Sequence, residues 1–151
     1  LDELHCPFVL CQNRYSMLDR NVEENGLKEA AVQAGRGLIT FSPLAQGRLT
    51  DRYLHGIPAD SRIRTDGRYL KEKDITPELV QKISALNEMA ARRGQTLAEM
   101  ALAWLLAQPA VTSVLIGASR PEQILDNIRA VENTTFTPDE WEEIDRICGA
   151  E

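Results

Sequence analysis

The residues best suited to chemistry in this sequence lie where a short apolar run gives way to a helix. Gly117-Ala118 offers little side chain to obstruct a ligand, and Ser119 and Arg120 follow directly. Ser119 with Glu122 three residues later, and Pro121 between them, forms the S-x-x-E pattern of a capping box. A helix N-terminus presents unpaired N–H groups and a positive dipole end, so this segment predicts an anion site.

The side chains around this helix start favour phosphate as the anion. Arg120 carries a planar guanidinium suited to bidentate phosphate contacts. Gln123, Asp126 and Asn127 belong to the first turns of the same helix and could reach a ribose or a polar ring. An ordinary capped turn with a solvent-facing arginine explains the same pattern, because caps of this type are common.

Three short runs of apolar residues predict the strands that position this segment. They are rich in branched residues and lack a polar alternation, which indicates strands buried on both faces. Helical spacing and caps predict helices between and after them, including two that begin after Thr76 and Thr96, and a terminal one after Thr137. The predicted strands cover residues 8–12, 37–42 and 113–116, and the other predicted helices cover 27–34, 49–54 and 121–132.

Strands that alternate with helices predict an α/β fold with a parallel sheet. In that class, ligands bind at the carboxyl ends of the strands. Gln12, Phe41, Ser42 and the segment 117–119 occupy the ends of the three predicted strands. We therefore expect one ligand to bridge them. Phe41 could instead be a core ring, and Gln12 could simply satisfy backbone groups at a strand end.

Composition narrows the classes of function. The 151 residues are 43% hydrophobic and 26% charged, as is typical of one globular domain. A net charge of −6 disfavours a nucleic-acid or anionic membrane partner, and no apolar run is long enough to be inserted into a membrane. The cysteines and histidines lack metal-ligand spacing. We thus expect no metal site, and reduced thiols in a cytoplasmic protein.

Three motifs carry a resemblance to a known family. They are residues 12–16 (QNRYS), 41–47 (FSPLAQG) and 116–123 (IGASRPEQ), the last followed by Asp126 and Asn127. Together, in this order, they resemble the C-terminal half of the aldo-keto reductases. The similarity is to the subgroup that contains bacterial glyceraldehyde-3-phosphate-type reductases and the β subunits of voltage-gated potassium channels.

The resemblance implies a (β/α)₈ TIM barrel that binds NADP(H) across the carboxyl ends of its strands. Gln12 would then bond the nicotinamide carboxamide, and Phe41 would stack on the nicotinamide ring. The residues that would line the pyrophosphate are Ser42, Leu44, Gln46 and Gly47. Those that would surround the adenosine 2′-phosphate are Gly117, Ser119, Arg120 and Gln123, with Asp126 and Asn127 at the adenine. An arginine at this place argues for NADP over NAD.

The resemblance also implies that residues 1–151 are only the C-terminal half of a barrel domain. The family's catalytic Asp, Tyr, Lys and His belong to the first half, so we expect no catalytic residue in this chain. The parent protein would reduce a small aldehyde or ketone to an alcohol. A non-enzymatic NADP sensor and a fragment that binds nothing are the alternatives. The open sheet edges would need the rest of the barrel or a second copy to cover them, so a homo-oligomer is also an expectation.

Overall fold

A parallel three-stranded sheet forms the centre of the structure. The structure is a computed structural model that describes residues 8–59, 61–65 and 70–149. Strands β1 (Leu10–Arg14), β2 (Gly37–Phe41) and β3 (Val111–Val114) lie side by side in chain order. Both neighbouring pairs are parallel, so their carboxyl ends meet at one edge. The predicted α/β class with three parallel strands and flanking helices is confirmed.

Helices connect the strands and follow the last one. Between β1 and β2 lie α1 (Asn21–Glu24) and α2 (Leu27–Gln33). Between β2 and β3 lie α3 (Arg62–Thr65), α4 (Pro77–Arg92) and α5 (Leu97–Leu106). After β3 lie α6 (Pro121–Ile128) and α7 (Pro138–Cys148). Within the described ranges, no helix is both long and apolar enough to cross a membrane, and no group of three or more metal-ligating side chains converges.

Threonine caps fix where three of these helices begin. Thr76, Thr96 and Thr137 each accept a hydrogen bond at Oγ1 from the backbone N–H three residues later, at 3.2 to 3.3 Å. In α5 and α7 the glutamate of the capping box accepts in return from the threonine N–H at 2.7 Å. These predicted helix starts are confirmed, because the cap satisfies N–H groups that have no partner inside the helix.

The predicted helix at 49–54 is wrong. The segment instead forms two short 3₁₀ turns, Ala45–Gly47 and Asp51–Tyr53. Gly47 at φ 89° and the extended Thr50 between these turns prevent a continuous helix. The predicted helix at 121–132 is correct up to Ile128, after which the chain tightens into a 3₁₀ turn, as helix ends often do.

Trp104 on α5 is the centre of the hydrophobic core. Its side chain is fully buried, as is Met100, and both predicted core positions are confirmed. The ring of Tyr15 meets the Trp104 ring edge-on at a centroid distance of 5.2 Å, and the ring of Trp141 lies at 6.0 Å. The guanidinium of Arg20 lies 4.8 Å from the Trp104 ring. These contacts join α5, α7 and the segment after β1, and the core also includes Leu38 of β2.

One face of the sheet packs against this core. The other, called the open face below, is not covered by any helix in the part of the chain that the structure describes. Leu10 and Phe41 are 43% and 38% exposed, whereas Leu38, on the other face of β2, is buried. The prediction of strands buried on both faces is therefore wrong, because helices of this chain cover only one face. The apolar side of α6 is exposed as well, with Leu125 at 68%. That the rest of a barrel or a second copy covers these surfaces stays a prediction.

Gly37 brings the three strands together on the open face. A Cβ atom at this position would lie 2.1 Å from Oγ1 of Thr112 on β3 and 2.6 Å from Cδ2 of Leu10 on β1. The side chains of the two outer strands therefore meet over Gly37, and only glycine leaves room for them. A bulge in the β2–β3 pairing at this level places Thr112 opposite no residue of β2.

We expect Gly37→Ala to destabilise the chain by about 1–3 kcal/mol, since Thr112 and Leu10 must both move. Gly117→Ala is the matched control, because its Cβ would meet nothing within 4 Å. Urea unfolding of the two variants measures the difference. A Gly37→Ala variant as stable as the control would show that the strands can separate without cost.

A second prediction concerns acid unfolding. Burial opposes the charge of Glu140, but the Thr137 N–H and Arg93, whose Nη1 lies 2.7 Å from Glu140 Oε1, lower the pKa of this carboxyl. A lowered folded-state pKa contributes stability above the unfolded value of about 4.3, and this stability is lost as the pH falls through the folded pKa. We expect Glu140→Gln to cost about 1–2 kcal/mol at pH 7.

The cost of Glu140→Gln should shrink as the pH falls below 4, because the wild-type carboxyl is then also neutral. Urea midpoints measured from pH 7 to pH 3 test this. Glu142→Gln on the exposed side of α7 is the control and should change little at any pH. A cost that stays constant down to pH 3 would exclude a role for the Glu140 charge.

Candidate functional site

A cleft of about 1190 Å³ opens at the carboxyl edge of the sheet. One wall is the segment after β2, from Phe41 to Tyr53, and the other runs from Leu115 after β3 into α6. The start of α5 closes the floor with Thr96 and Glu99. The parallel strands create this cleft. The segments that follow β2 and β3 leave the sheet at the same edge, and each must turn away from the sheet there, which leaves a space between them.

The wall after β2 has an unusual backbone. Ser42, Ala45 and Gln46 all have positive φ, at 54°, 47° and 61°. Such values are costly for residues with a side chain, and clusters of them occur at functional sites. Hydrogen bonds hold the conformation: Ala45 N donates to Ser42 O at 2.9 Å, and Thr50 Oγ1 donates to Gly47 O at 2.6 Å. These hydrogen bonds and φ values define the shape of this wall.

The start of α6 forms the facing wall and differs from the predicted cap. The N-cap is Arg120, not Ser119, and Gln123 closes the box instead of Glu122. The reason is that this register puts Pro121 at the first helical position, where its missing N–H costs nothing. Gln123 Oε1 accepts from Ser119 N at 2.8 Å, Ser119 Oγ at 3.2 Å and Arg120 N at 3.3 Å.

This cap changes which groups remain for an anion. The Ser119 and Arg120 amides, which precede the first helical turn, already donate to Gln123 Oε1. The Arg120 guanidinium has no carboxylate partner among the described residues, and the residue is exposed. Because the Gln123 oxygen is fully occupied, its amide nitrogen is the end that can still donate. Arg120 therefore supplies a positive charge at this wall that is unpaired among the described residues.

Eleven of the twelve predicted site residues line this one cleft. They are Phe41, Ser42, Leu44, Gln46, Gly47, Gly117, Ser119, Arg120, Gln123, Asp126 and Asn127. They come from segments more than sixty residues apart in the chain, and the sheet edge is what joins them. Their placement in one cleft does not by itself identify a ligand.

Gln12 is the exception, and the predicted end of its strand is wrong. β1 continues to Arg14, so Gln12 lies in the middle of the strand opposite Ile39, and it does not line the cleft. The run of apolar residues ends at Cys11, but the backbone pairing with β2 continues through polar residues. Gln12 pairs with Ile39, which lies two residues before Phe41 on β2. Side chains two residues apart on a strand point to the same face, so Gln12 shares the open face with Phe41.

Several lining residues were not predicted from the sequence. Asn87 of α4, Thr96 and Glu99 of α5, and Arg129 after α6 all face the cleft. Arg129 Nε lies 3.5 Å from Glu99 Oε1 and so bridges two walls. In the sequence, Thr96 and Glu99 show only the spacing of a capping box, and nothing in a cap pattern reveals which cavity the cap borders.

The two described tyrosines, Tyr15 and Tyr53, differ in their relation to this cleft. Tyr15 is buried among the helices, and its hydroxyl donates to Glu23. Burial and this hydrogen bond raise the pKa of Tyr15 above its usual range. Tyr53 lines the cleft but is itself buried, and Tyr69 lies outside the described residues. The expectation that this chain supplies no catalytic tyrosine stays a prediction.

Comparison with known proteins places this geometry in a family. The chain is 46% identical over 149 residues to the L-glyceraldehyde 3-phosphate reductase of Escherichia coli K12, which covers 97% of the chain but 43% of that protein. It is 37% identical over 126 residues to a probable voltage-gated potassium channel β subunit of Arabidopsis thaliana, covering 82% and 38% of the two. The chain therefore spans less than half the length of these relatives.

Solved structures agree with the fold. The thermostable aldo-keto reductase Tm1743 superposes with a TM-score of 0.66 at 28% identity, over 93% of this chain and 40% of its own. The aldo-keto reductase AKR11C1 of Bacillus halodurans gives 0.70 at 26% identity, over 95% and 44%. The three strands and their helices thus correspond to part of a TIM barrel. The sequence model of the aldo/keto reductase family matches residues 1–148, and the chain belongs to that family.

Proposed function

We propose that this chain is the NADP(H)-binding half of an aldo-keto reductase whose complete form reduces aldehydes or ketones to alcohols. The observation that carries the proposal is the single cleft that contains eleven residues predicted to hold the cofactor. A barrel that binds its cofactor at the carboxyl edge of the strands would use this edge. In this proposal the catalytic side chains come from the part of the barrel that precedes this chain.

The cleft fits a dinucleotide phosphate in shape and charge. Gly117 leaves its surroundings open, since a Cβ there would meet nothing within 4 Å. Arg120 is an exposed guanidinium without a carboxylate partner in the described ranges, as a phosphate site requires. Ser42 to Gly47 form the fixed opposite wall. These features support an elongated, anionic ligand that lies between the two walls.

Each group of residues has a distinct role in this proposal. Phe41 stacks on the nicotinamide, and Gln12, on the same sheet face, bonds its carboxamide. Ser42, Leu44, Gln46 and Gly47 hold the pyrophosphate. Asp126 and Asn127 contact the adenine, and the remaining residues of the α6 wall, Gly117, Ser119, Arg120 and Gln123, surround the 2′-phosphate. The bound NADPH would supply a hydride, and the protein would supply its position and the surrounding charge.

A second candidate function is a non-enzymatic NADP-binding module. The relatives named as potassium channel β subunits favour it, since one of them is 37% identical to this chain over 82% of its length. The two candidates share the cofactor site and differ in chemistry. Assay of the complete protein with NADPH and a panel of small aldehydes separates them, since NADPH oxidation that depends on aldehyde supports the reductase and binding without oxidation supports the sensor.

We expect Arg120→Ala to weaken NADPH binding about ten- to a hundredfold and to weaken NADH binding far less, because only NADPH carries the 2′-phosphate. Isothermal titration of the complete protein with each cofactor measures this. Arg146→Ala is the matched control, as Arg146 is also an exposed arginine, but on α7 and outside the cleft. An equal loss for NADPH and NADH would remove Arg120 from the phosphate site.

A further inference from the structure

Arg14 ends β1 at the edge of the sheet where the cleft opens. In the strand pairing it lies directly opposite Phe41, and neighbouring strands are about 4.8 Å apart. Both residues are exposed. Arg14 belongs to the sequence motif at 12–16, but that motif assigns it no role. It is not among the residues that line the cleft.

The side chain of Arg14 is on the same sheet face as that of Phe41. The position of Gly37 fixes this face, because its missing Cβ points toward Leu10 of β1. Alternation along each strand then puts Arg14, four residues after Leu10, and Phe41, four residues after Gly37, on that face. Cys11, on the other face of β1, packs against the core instead.

A turn anchored by Asp19 orients the Arg14 guanidinium. Nε of Arg14 lies 2.6 Å from Asp19 Oδ2. Asp19 is held in turn by paired backbone hydrogen bonds with Ser16, both at 3.1 Å, and by Asn21 Nδ2 at 3.1 Å on Oδ1. The two terminal nitrogens of Arg14 have no partner among the described residues, so four N–H donors remain available.

We propose that Arg14 is a specificity-determining residue that binds an anionic group on the carbonyl substrate. The inference rests on the proposed function, in which Phe41 stacks on the nicotinamide and the substrate must approach the same ring. Arg14 lies opposite Phe41 in the strand pairing and on the same open face, and its free edge can form a bidentate contact with a phosphate or a carboxylate. Either anion has the chemistry that this side chain recognises.

The test compares three aldehydes in the complete protein with NADPH. Glyceraldehyde 3-phosphate carries a phosphate, succinic semialdehyde carries a carboxylate, and glyceraldehyde is neutral. We expect Arg14→Ala to lower kcat/KM about ten- to a hundredfold for at least one anionic aldehyde, and to lower it far less for the neutral one. The aldehyde with the larger loss identifies the anion.

Arg92→Ala is the matched control. The side chains of Arg92 and Arg14 are 57% and 56% exposed, and each pairs with one carboxylate, but Arg92 lies in the helix layer beside Glu143. It should not alter the ratio of anionic to neutral kcat/KM. An equal loss for all three aldehydes in Arg14→Ala would assign Arg14 a purely structural role and overturn the inference.

Other outcomes distinguish this inference from the proposed function. If the wild-type protein reduces only the neutral aldehyde, or if Arg14→Ala leaves every kcat/KM as in the wild type, the reductase proposal stands and the inference about Arg14 is overturned. If the wild-type protein reduces none of the three and still binds NADPH, the reductase proposal fails and the inference fails with it.

Discussion

The burial of one sheet face is the constraint on which the rest of this structure depends. Trp104 and its aromatic neighbours hold α5 and α7 together under the strands, and Leu38 joins β2 to the same core. Once the strands are parallel and covered on that face, their carboxyl ends must emerge at one edge. Segments that are distant in the sequence then face each other across a cleft without needing to contact each other directly.

The cleft combines a wall with an unusual backbone and a charged one. Positive φ values at Ser42, Ala45 and Gln46 are costly, and hydrogen bonds within the segment together with buried packing must compensate for this cost. The second wall is formed by the start of α6, where Gln123 accepts hydrogen bonds from the Ser119 and Arg120 amides. If the proposed function is correct, recognition of the 2′-phosphate at this wall depends on Arg120, and cofactor preference should be sensitive to that single side chain.

Much of this arrangement could be predicted from local sequence patterns. The caps at Thr76, Thr96 and Thr137 and the buried position of Trp104 follow from propensity and spacing, and the structure agrees. The end of β1 could not be predicted, because polar residues such as Asn13 continue the backbone pairing after the apolar run has ended. The motif residues after β2 and β3 were predicted correctly as neighbours, although the register of the α6 cap was not.

The exposed strand faces show the limit of sequence patterns most clearly. Apolar runs indicate burial on both faces, yet Leu10 and Phe41 are exposed. An apolar run indicates that its residues are suited to buried surroundings. The three described strands and their helices bury only one face of the sheet.

Hydrogen exchange of the complete protein with and without NADP⁺ tests the central claim most directly. If a dinucleotide lies between the two walls, NADP⁺ should slow amide exchange in residues 42–53 and 117–127 together, and leave α7 on the far side of the core unchanged. Saturating NADP⁺ that protects neither segment, or protects only residues outside the cleft, would contradict the assignment of this cleft as the cofactor site.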